Sequence, residues 1–359
     1  MANRKLQASV CISGAGPGGV ACAATLAGLG VDVLLIGAPP RNRPTLAETC
    51  GPAVARWLPP GFEFHRHCAR HTAISFIHSA WGTTELDARD LRFWHGADSM
   101  VLDRANFDAW LVGSAESAGV RVVRNAVASS ARCGSGHWTV SVEQEGRRRE
   151  VEAAYFIEAG GRSARAIAYP DANRIYSDGL ICISAEWAGA ETCPRALVES
   201  SRDGWWFTAV VPGAKRVLCY FTDADLVPAT VPRAELLKAV IAGTEHVRQI
   251  CREDIFDAVI SVSDARTSIR RLLWRGTWLP IGDAAFAMDP LSGNGIERAV
   301  RDGNDAAHAV AAALGGSSDS LREFAGRKAD RYRELRDRGR EYYRVESRFD
   351  YSLFWQRRR

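Results

Sequence analysis

The sequence predicts an α/β fold in three parts: a parallel-sheet domain, an antiparallel β-sheet domain laid over it, and a helical C-terminal segment. Three observations carry that expectation. A glycine-rich turn joins a strand to a helix near the amino terminus, closely spaced strands fill residues 178–273, and a late strand ending in Gly282-Asp283 returns the chain to α/β periodicity.

The first element is the apolar run Val10, Cys11 and Ile12, followed by Gly14-Ala15-Gly16-Pro17-Gly18-Gly19, a small-residue helix from Val20 to Leu29, and a second strand from Val31 to Ile36. This order is a Rossmann-type βαβ unit. Gly14, Gly16 and Gly19 satisfy G-x-G-x-x-G in that context, with Pro17 and Gly18 completing the turn. Side chains at the glycines would keep a pyrophosphate from the backbone amides and from the positive helix terminus. Ala21, Ala23 and Ala24 let the helix approach the sheet closely. The acid that ordinarily holds an adenosine ribose at the end of the second strand is replaced by Gly37. The ribose contact is thereby left to a backbone group or to Arg41 or Arg43, and those arginines alone would also suit a phosphorylated NADP ribose.

Asp103 to Ala118 reads as a helix with Phe107, Leu111 and Ala115 on one face, ended by Gly119 and followed by a strand at Val120–Val123, a second βαβ element. Residues 150–158 form another strand closing on Ala159-Gly160-Gly161-Arg162. The pattern is short and mixed from Ala73 to Arg92. Strands dominate Asp178 to Leu273, with one helix near Arg233 to Cys251. Trp278 to Ile281 is a strand, Gly293 to Leu314 a helix, Gly315 to Ser318 a joint, and Ser320 to about Phe349 a charged helix carrying Tyr332, Tyr342 and Tyr343. The expected division is a discontinuous nucleotide-binding domain of residues 1–72, 96–177 and 274–318, a second domain of 73–95 and 178–273, and a C-terminal helical segment of 319–359.

At 359 residues, 47% hydrophobic and 25% charged, the chain has the composition of a soluble globular protein, and no apolar run reaches bilayer length, so no membrane partner is expected. Nine cysteines, odd in number and without a C-x-x-C pair, suggest neither a disulfide framework nor a zinc site. His65, His67 and His71 near Cys68 lack clean metal spacing, and no metal is expected. A reducing cytoplasm fits best, and Met1 to Gln7 has no signal-peptide pattern. The net charge of +4 is modest, and Arg357, Arg358 and Arg359 read as a solvated terminus, so no nucleic-acid partner is expected.

Ile281-Gly282-Asp283-Ala284-Ala285 puts a carboxylate at the end of a late strand, where the ribityl hydroxyls of FAD need an acceptor; NADP has no ribityl chain. Met288-Asp289-Pro290-Leu291-Ser292-Gly293-Asn294-Gly295-Ile296 then precedes a long helix whose positive end can stabilise negative charge on the N1 and C2 carbonyl edge of reduced flavin. Gly282, Asp283, Pro290, Ser292, Gly293, Asn294 and Gly295 are therefore expected FAD contacts.

Gly14 to Gly19, Asp103-Arg104-Ala105-Asn106-Phe107-Asp108, Gly160-Gly161-Arg162-Ser163 and Gly282 to Gly295 together resemble the FAD-dependent monooxygenase superfamily, which holds aromatic hydroxylases, tryptophan halogenases and geranylgeranyl-reductase-like enzymes. Ser79-Ala80-Trp81-Gly82, Gly204-Trp205-Trp206-Phe207, Phe221 to Leu226 and Phe354-Trp355-Gln356-Arg357-Arg358 resemble a subgroup: maturases that hydroxylate a protein tryptophan as the cysteine tryptophylquinone of lysine and glycine oxidases is built. The resemblance implies hydroxylation of an electron-rich aromatic substrate, either an indole-type small molecule or a tryptophan of a partner protein. The oxidant would be a flavin C4a-hydroperoxide shielded from water. It also implies an FAD contact for Arg104 and a position near the flavin for Glu48; Glu48, His71 and His95, the last just before Gly96, are the candidate catalytic residues for handling a proton. Trp81, Trp94, Trp205 and Trp206 are candidate walls of an aromatic site. Halogenases of the superfamily need a lysine between the nucleotide turn and the Asp103-Arg104 helix. This chain has no lysine from Leu6 to Ala214 and carries Arg70 or His71 near that place; arginine does not readily become a neutral amine. A halogenase, an FAD-dependent dehydrogenase or reductase, and a non-catalytic escort protein of the same fold stay open as alternatives. Hydroxylases of the superfamily often carry an Asp-Gly pair that helps NAD(P)H dock, where this chain has Glu158-Ala159-Gly160-Gly161. Electrons would come from NAD(P)H directly or from a separate flavin reductase.

Overall fold

The computed structural model describes residues 5–39, 46–188, 196–251, 259–317 and 319–359. Its first sheet runs Arg121–Val123, Val33–Ile36, Leu6–Ser13, Arg147–Glu158, with Trp278–Pro280 beside the end of the last; all of these pair in parallel. Parallel strands need cover on both faces, and Val10, Cys11, Ile12, Leu35 and Phe156 are fully buried. One face carries the helices Pro17–Gly28, Arg104–Ser117 and Gly295–Leu314, whose apolar residues join the strands in a single core. The first and last of these helices touch at two glycines, for a Cβ on Gly303 would lie 2.1 Å from the Gly18 carbonyl oxygen. The other face is closed by Trp138, Tyr169, Ala172 and Trp278, with the Trp138 indole donating to Thr277 Oγ1 at 2.9 Å. Here the sheet turns antiparallel, through His137–Gln144 and Ala126–Gly134.

The second large sheet has the order Val259–Asp264, Leu180–Ala188, Lys215–Asp223, Gly204–Val211, Ala196–Ser201, Phe76–Ala80, Asp87–Asp90, antiparallel except where Ala196–Ser201 meets Phe76–Ala80. Successive side chains alternate between its faces. Trp205, Cys219 and Phe221 join a cluster with Ala47, Val101 and Leu291 from outside this sheet, whereas Trp206, Leu218 and Tyr220 face the helices Arg233–Ile241 and Val247–Ile250. The single helix expected over Arg233 to Cys251 is thus two. Buried Glu199 explains the break: its carboxylate accepts from the backbone N–H groups of Glu245, His246 and Val247, capping the second helix from the neighbouring strand.

The helix Ser320–Val345 packs along Gly295–Leu314, and the chain then folds back beneath the antiparallel sheet to end in Leu353–Gln356. The basic terminus is not the solvated run its charge suggests. Arg358 is 6% exposed, donates to both carboxylate oxygens of buried Asp223, and lies over the Phe354 ring at 3.8 Å. Arg357 bridges Asp223 and Asp225. Phe354 and Trp355 are fully buried, and the Trp355 indole donates to the carbonyls of Ser201 and Arg202. A short apolar anchor beside the charges overrides the preference of a tail for water.

Candidate flavin site

The glycine turn closes as dinucleotide chemistry requires. Gly14 has φ +122°, and a Cβ there would fall 2.4 Å from the Ala159 carbonyl oxygen; one on Gly19 would fall 1.8 Å from the carbonyl oxygen of Gly14. At Gly16, by contrast, a Cβ would meet nothing within 4 Å, so the space over the turn is open. The helix begins at Pro17 with no side-chain cap, which leaves its first amides available to an anion. The strand end opposite is held by buried Glu158, whose Oε1 accepts from Ile167 N, Ala168 N and the Trp278 indole. Gly37 ends the second strand with its N–H on the Val123 carbonyl, and a Cβ there would crowd Ala15 at 3.1 Å, so the turn leaves little room for an acid. Arg41, the expected ribose contact, lies outside the described residues, as does Arg43.

Gly282 turns the late strand with φ +56°, and its N–H donates to Asp302 Oδ2 at 2.5 Å. The same oxygen takes the Lys328 ammonium at 2.9 Å, and that ammonium also donates to the Pro280 carbonyl. Asp283 follows, its side chain 29% exposed, with Oδ1 2.6 Å from Arg298 Nη2 and Oδ2 3.8 Å from Arg162. Its outer oxygen keeps lone pairs for a hydroxyl. Arg162 is itself fixed by the carbonyls of Arg266 and Met288, and Arg174 by those of Gly161, Asp283 and Ala284. Pro290–Ser292 is a single 3-10 turn, Gly293 takes φ +63°, and Asn294 precedes the helix Gly295–Leu314 without a side-chain cap, so that helix also presents uncommitted amides.

Glu48 and Arg104 meet each other: Arg104 Nη1 lies 2.5 Å from Glu48 Oε1, and Nη2 binds Asp108. Glu48 is aimed by Ala47, buried and at φ +48°, a conformation that costs a non-glycine residue about 1 kcal/mol. Next to it Thr49 Oγ1 reaches the Gly293 carbonyl at 3.5 Å. His71 Nδ1 accepts from Asp103 N at 3.2 Å, which puts the proton of the neutral ring on Nε2, a buried atom with no partner among the described residues. Burial holds its pKa below the ordinary histidine value. Beside it, His67 stacks on Trp110 at 4.4 Å, and burial, with the charges of His71 and Arg70, lowers its pKa to about 4.

His95 is not gathered into this group; it ends the short helix Leu91–His95 with its ring exposed, because Gly96 at φ +76° turns the chain there. Trp206 is likewise not a wall of the site, since it stands on the far face of the sheet, stacked on Tyr220 at 4.4 Å. Trp205 stacks on Phe221 at 3.9 Å within the cluster that includes Ala47 and Leu291, and Trp81 meets Trp205, Tyr343 and Trp355 edge-on. The side chain of Trp94 lies outside the described residues. Among the described residues no group of three or more His, Cys, Asp and Glu converges as a metal site, and no helix is long and apolar enough to cross a membrane.

These features fit FAD: an open turn over Gly16, two helix starts without side-chain caps on one face of the parallel sheet, and a partly exposed carboxylate at Asp283 whose Oδ2 has, among the described residues, no hydrogen-bond donor closer than Arg162 at 3.8 Å. A family model for the FAD binding domain matches residues 63–332. The "Putative FAD-dependent oxidoreductase LodB" of Marinomonas mediterranea is 24% identical over 285 residues, covering 78% of this chain and 76% of that protein. A peptidyl tryptophan dihydroxylase, QhpG, essential for tryptophylquinone cofactor biogenesis, superposes with a TM-score of 0.82 at 23% identity, over 98% of this chain and 78% of its own. The myxobacterial chondrochloren halogenase CndH, an FAD-dependent enzyme, superposes with a TM-score of 0.84 at 19% identity, over 99% and 86%. The two solved structures share the fold.

Proposed function

The chain belongs to the FAD binding domain family, and on that premise we propose that it is an FAD-dependent monooxygenase that hydroxylates an indole ring, either free or as a tryptophan of a partner protein. The observation that carries the reading is the apolar, aromatic face closing over the flavin loop, where Trp205, Phe221, Trp81, Ala47 and Leu291 pack in one cluster. Bound reduced FAD supplies, with dioxygen, an electrophilic oxygen suited to electron-rich rings. The backbone amides of Gly16, Gly18 and Gly19 would hold the pyrophosphate, Asp283 would accept from a ribityl hydroxyl, and the helix start after Pro290 to Gly295 would offer positive charge to the reduced flavin. Trp205, Phe221 and Leu291 exclude water. His71 holds a proton at Nε2, and Glu48 keeps the oxygen not taken by Arg104 for orienting substrate or accepting a proton. His95 has no part in this arrangement.

The likeness to a peptidyl tryptophan dihydroxylase supports a protein tryptophan as the substrate. The absence of lysine from Leu6 to Ala214 weighs against halogenation. Glu158 is buried, with Oε1 taking three donors and Oε2 paired to Arg270 at 3.6 Å, so it is turned into the fold and not toward a nicotinamide, which supports a separate flavin reductase as electron source. The test is a mass-spectrometric panel of tryptophan peptides and indoles with reduced FAD and dioxygen, in the presence of bromide. Products gaining one or two oxygens support the reading. Bromination, or no oxygen gained across the panel, overturns it.

A further inference from the structure

Asp289, Tyr343 and Trp205 come from three separate parts of the fold and meet in one hydrogen-bond chain. Tyr343 is in the C-terminal helix, Trp205 in the antiparallel sheet, and Asp289 opens the loop that leads to Gly295. The direction of donation is fixed by chemistry. An indole N–H can only donate, and Trp205 Nε1 lies 3.0 Å from Tyr343 Oη; the tyrosine proton therefore goes to Asp289 Oδ2, at 2.6 Å. Asp289 Oδ1 accepts from Leu291 N at 2.9 Å and so shapes the turn Pro290–Ser292. The other charged groups facing this carboxyl are Arg358 of the tail, already committed to Asp223, and Asp178 of the strand connection, committed to the amides of Leu180 and Thr267.

We propose that Asp289 is a positioning residue for the flavin loop that exchanges a proton with solvent as the flavin is reduced and reoxidised, with Tyr343 setting the pH at which it does so. The inference rests on the flavin site and not on which aromatic is oxygenated. On two-electron reduction of bound FAD by a reductase or by dithionite, Asp289 would take one proton from the buffer, and on reoxidation it would return that proton to the buffer. Burial already raises its pKa above the ordinary carboxylate range, while the hydrogen bond from Tyr343 acts to lower it. Removing that hydroxyl therefore raises the pKa further. The residue is legible in sequence only as the acid of Asp289-Pro290; its partner lies 54 positions away.

The test is the midpoint potential of bound FAD followed against pH in the holoprotein. The wild type is expected to show a break at a pH above the ordinary carboxylate range, Tyr343→Phe to move the break to higher pH, and Asp289→Asn to abolish it. A measurement that needs no variant accompanies it: the Trp205 indole N–H resonance in FAD-bound wild type is expected to titrate with the same midpoint. Yellow, folded wild type whose potential shows no break and whose Trp205 resonance does not titrate overturns the proposal. So does a break that survives in Asp289→Asn. A protein that takes up no FAD fails the flavin site itself, and this inference with it, and is told apart by its lack of colour.

Discussion

Asp283→Ala separates the carboxylate's two duties. In the folded protein Asp283 is the acid within ion-pair reach of Arg298, whose guanidinium is buried with Nη1 lacking an acceptor among the described residues. Breaking a fully buried pair costs roughly 3–5 kcal/mol. Asp283 is 29% exposed, so solvent screens part of this and the loss should be on the order of 2 kcal/mol in the apoprotein. The ligand term is separate: a hydrogen bond to a charged acceptor is worth about 1.5–3 kcal/mol, or roughly 10- to 150-fold in Kd for FAD. Arg298→Leu is the control, because it breaks the same ion pair while leaving the acceptor in place. Thermal melts of the apoproteins and FAD titrations followed by flavin absorbance give the two quantities. Asp283→Ala should lose both stability and FAD affinity, and Arg298→Leu mainly stability. Equal loss of FAD affinity in the two variants, or unchanged affinity in Asp283→Ala, refutes the ribityl contact.

Lys328→Met should lower Tm by several degrees, because it strands Asp302 beneath Gly282 at a cost of about 3–5 kcal/mol; adding Asp302→Leu should restore part of the loss, as scanning calorimetry can establish. Gly19→Ala places a Cβ 1.8 Å from the Gly14 carbonyl, so the turn must open; the expected result is loss of FAD retention during gel filtration with a stability cost of about 1–3 kcal/mol or more. A Gly19→Ala protein that stays yellow would contradict the close packing. His67 and His71 both have folded pKa values below the ordinary histidine value, so the unfolded chain binds protons first as pH falls. Stability should therefore fall from about pH 6.5 toward the value of about 4 reached by His67, and His67→Phe, which preserves stacking on Trp110, should flatten the decline in melting temperature.

The glycine turn and the Gly282-Asp283 string are legible because each demands particular residues at adjacent positions: Gly14 and Gly19 have no room for a Cβ, and Asp283 follows a strand end. What surrounds them is not local. Arg298 and Asp283 are 15 positions apart, Lys328 and Asp302 are 26, and Tyr343 and Asp289 are 54, so their pairing appears only once the helices pack. Arg358 has the composition of a solvated tail and the environment of a core residue, because Asp223 and Phe354 wait for it. Trp205 and Trp206 are neighbours in a strand and must face opposite sides, so strand alternation alone allows only one of them to line the site. His95 carried no such signal, since a histidine before a glycine reads the same inside a pocket and at an exposed helix end.

The most direct test of flavin-dependent oxygenation is to supply reduced FAD and isotopically heavy dioxygen with a tryptophan-bearing peptide and weigh the product. The peptide is expected to gain one or two heavy oxygen atoms, lost when Asp283 is replaced by alanine at limiting FAD. A modified peptide whose added oxygen comes from water, or a peptide oxidised with no oxygen gained, would contradict oxygen transfer and leave hydride or electron transfer as the chemistry of the site.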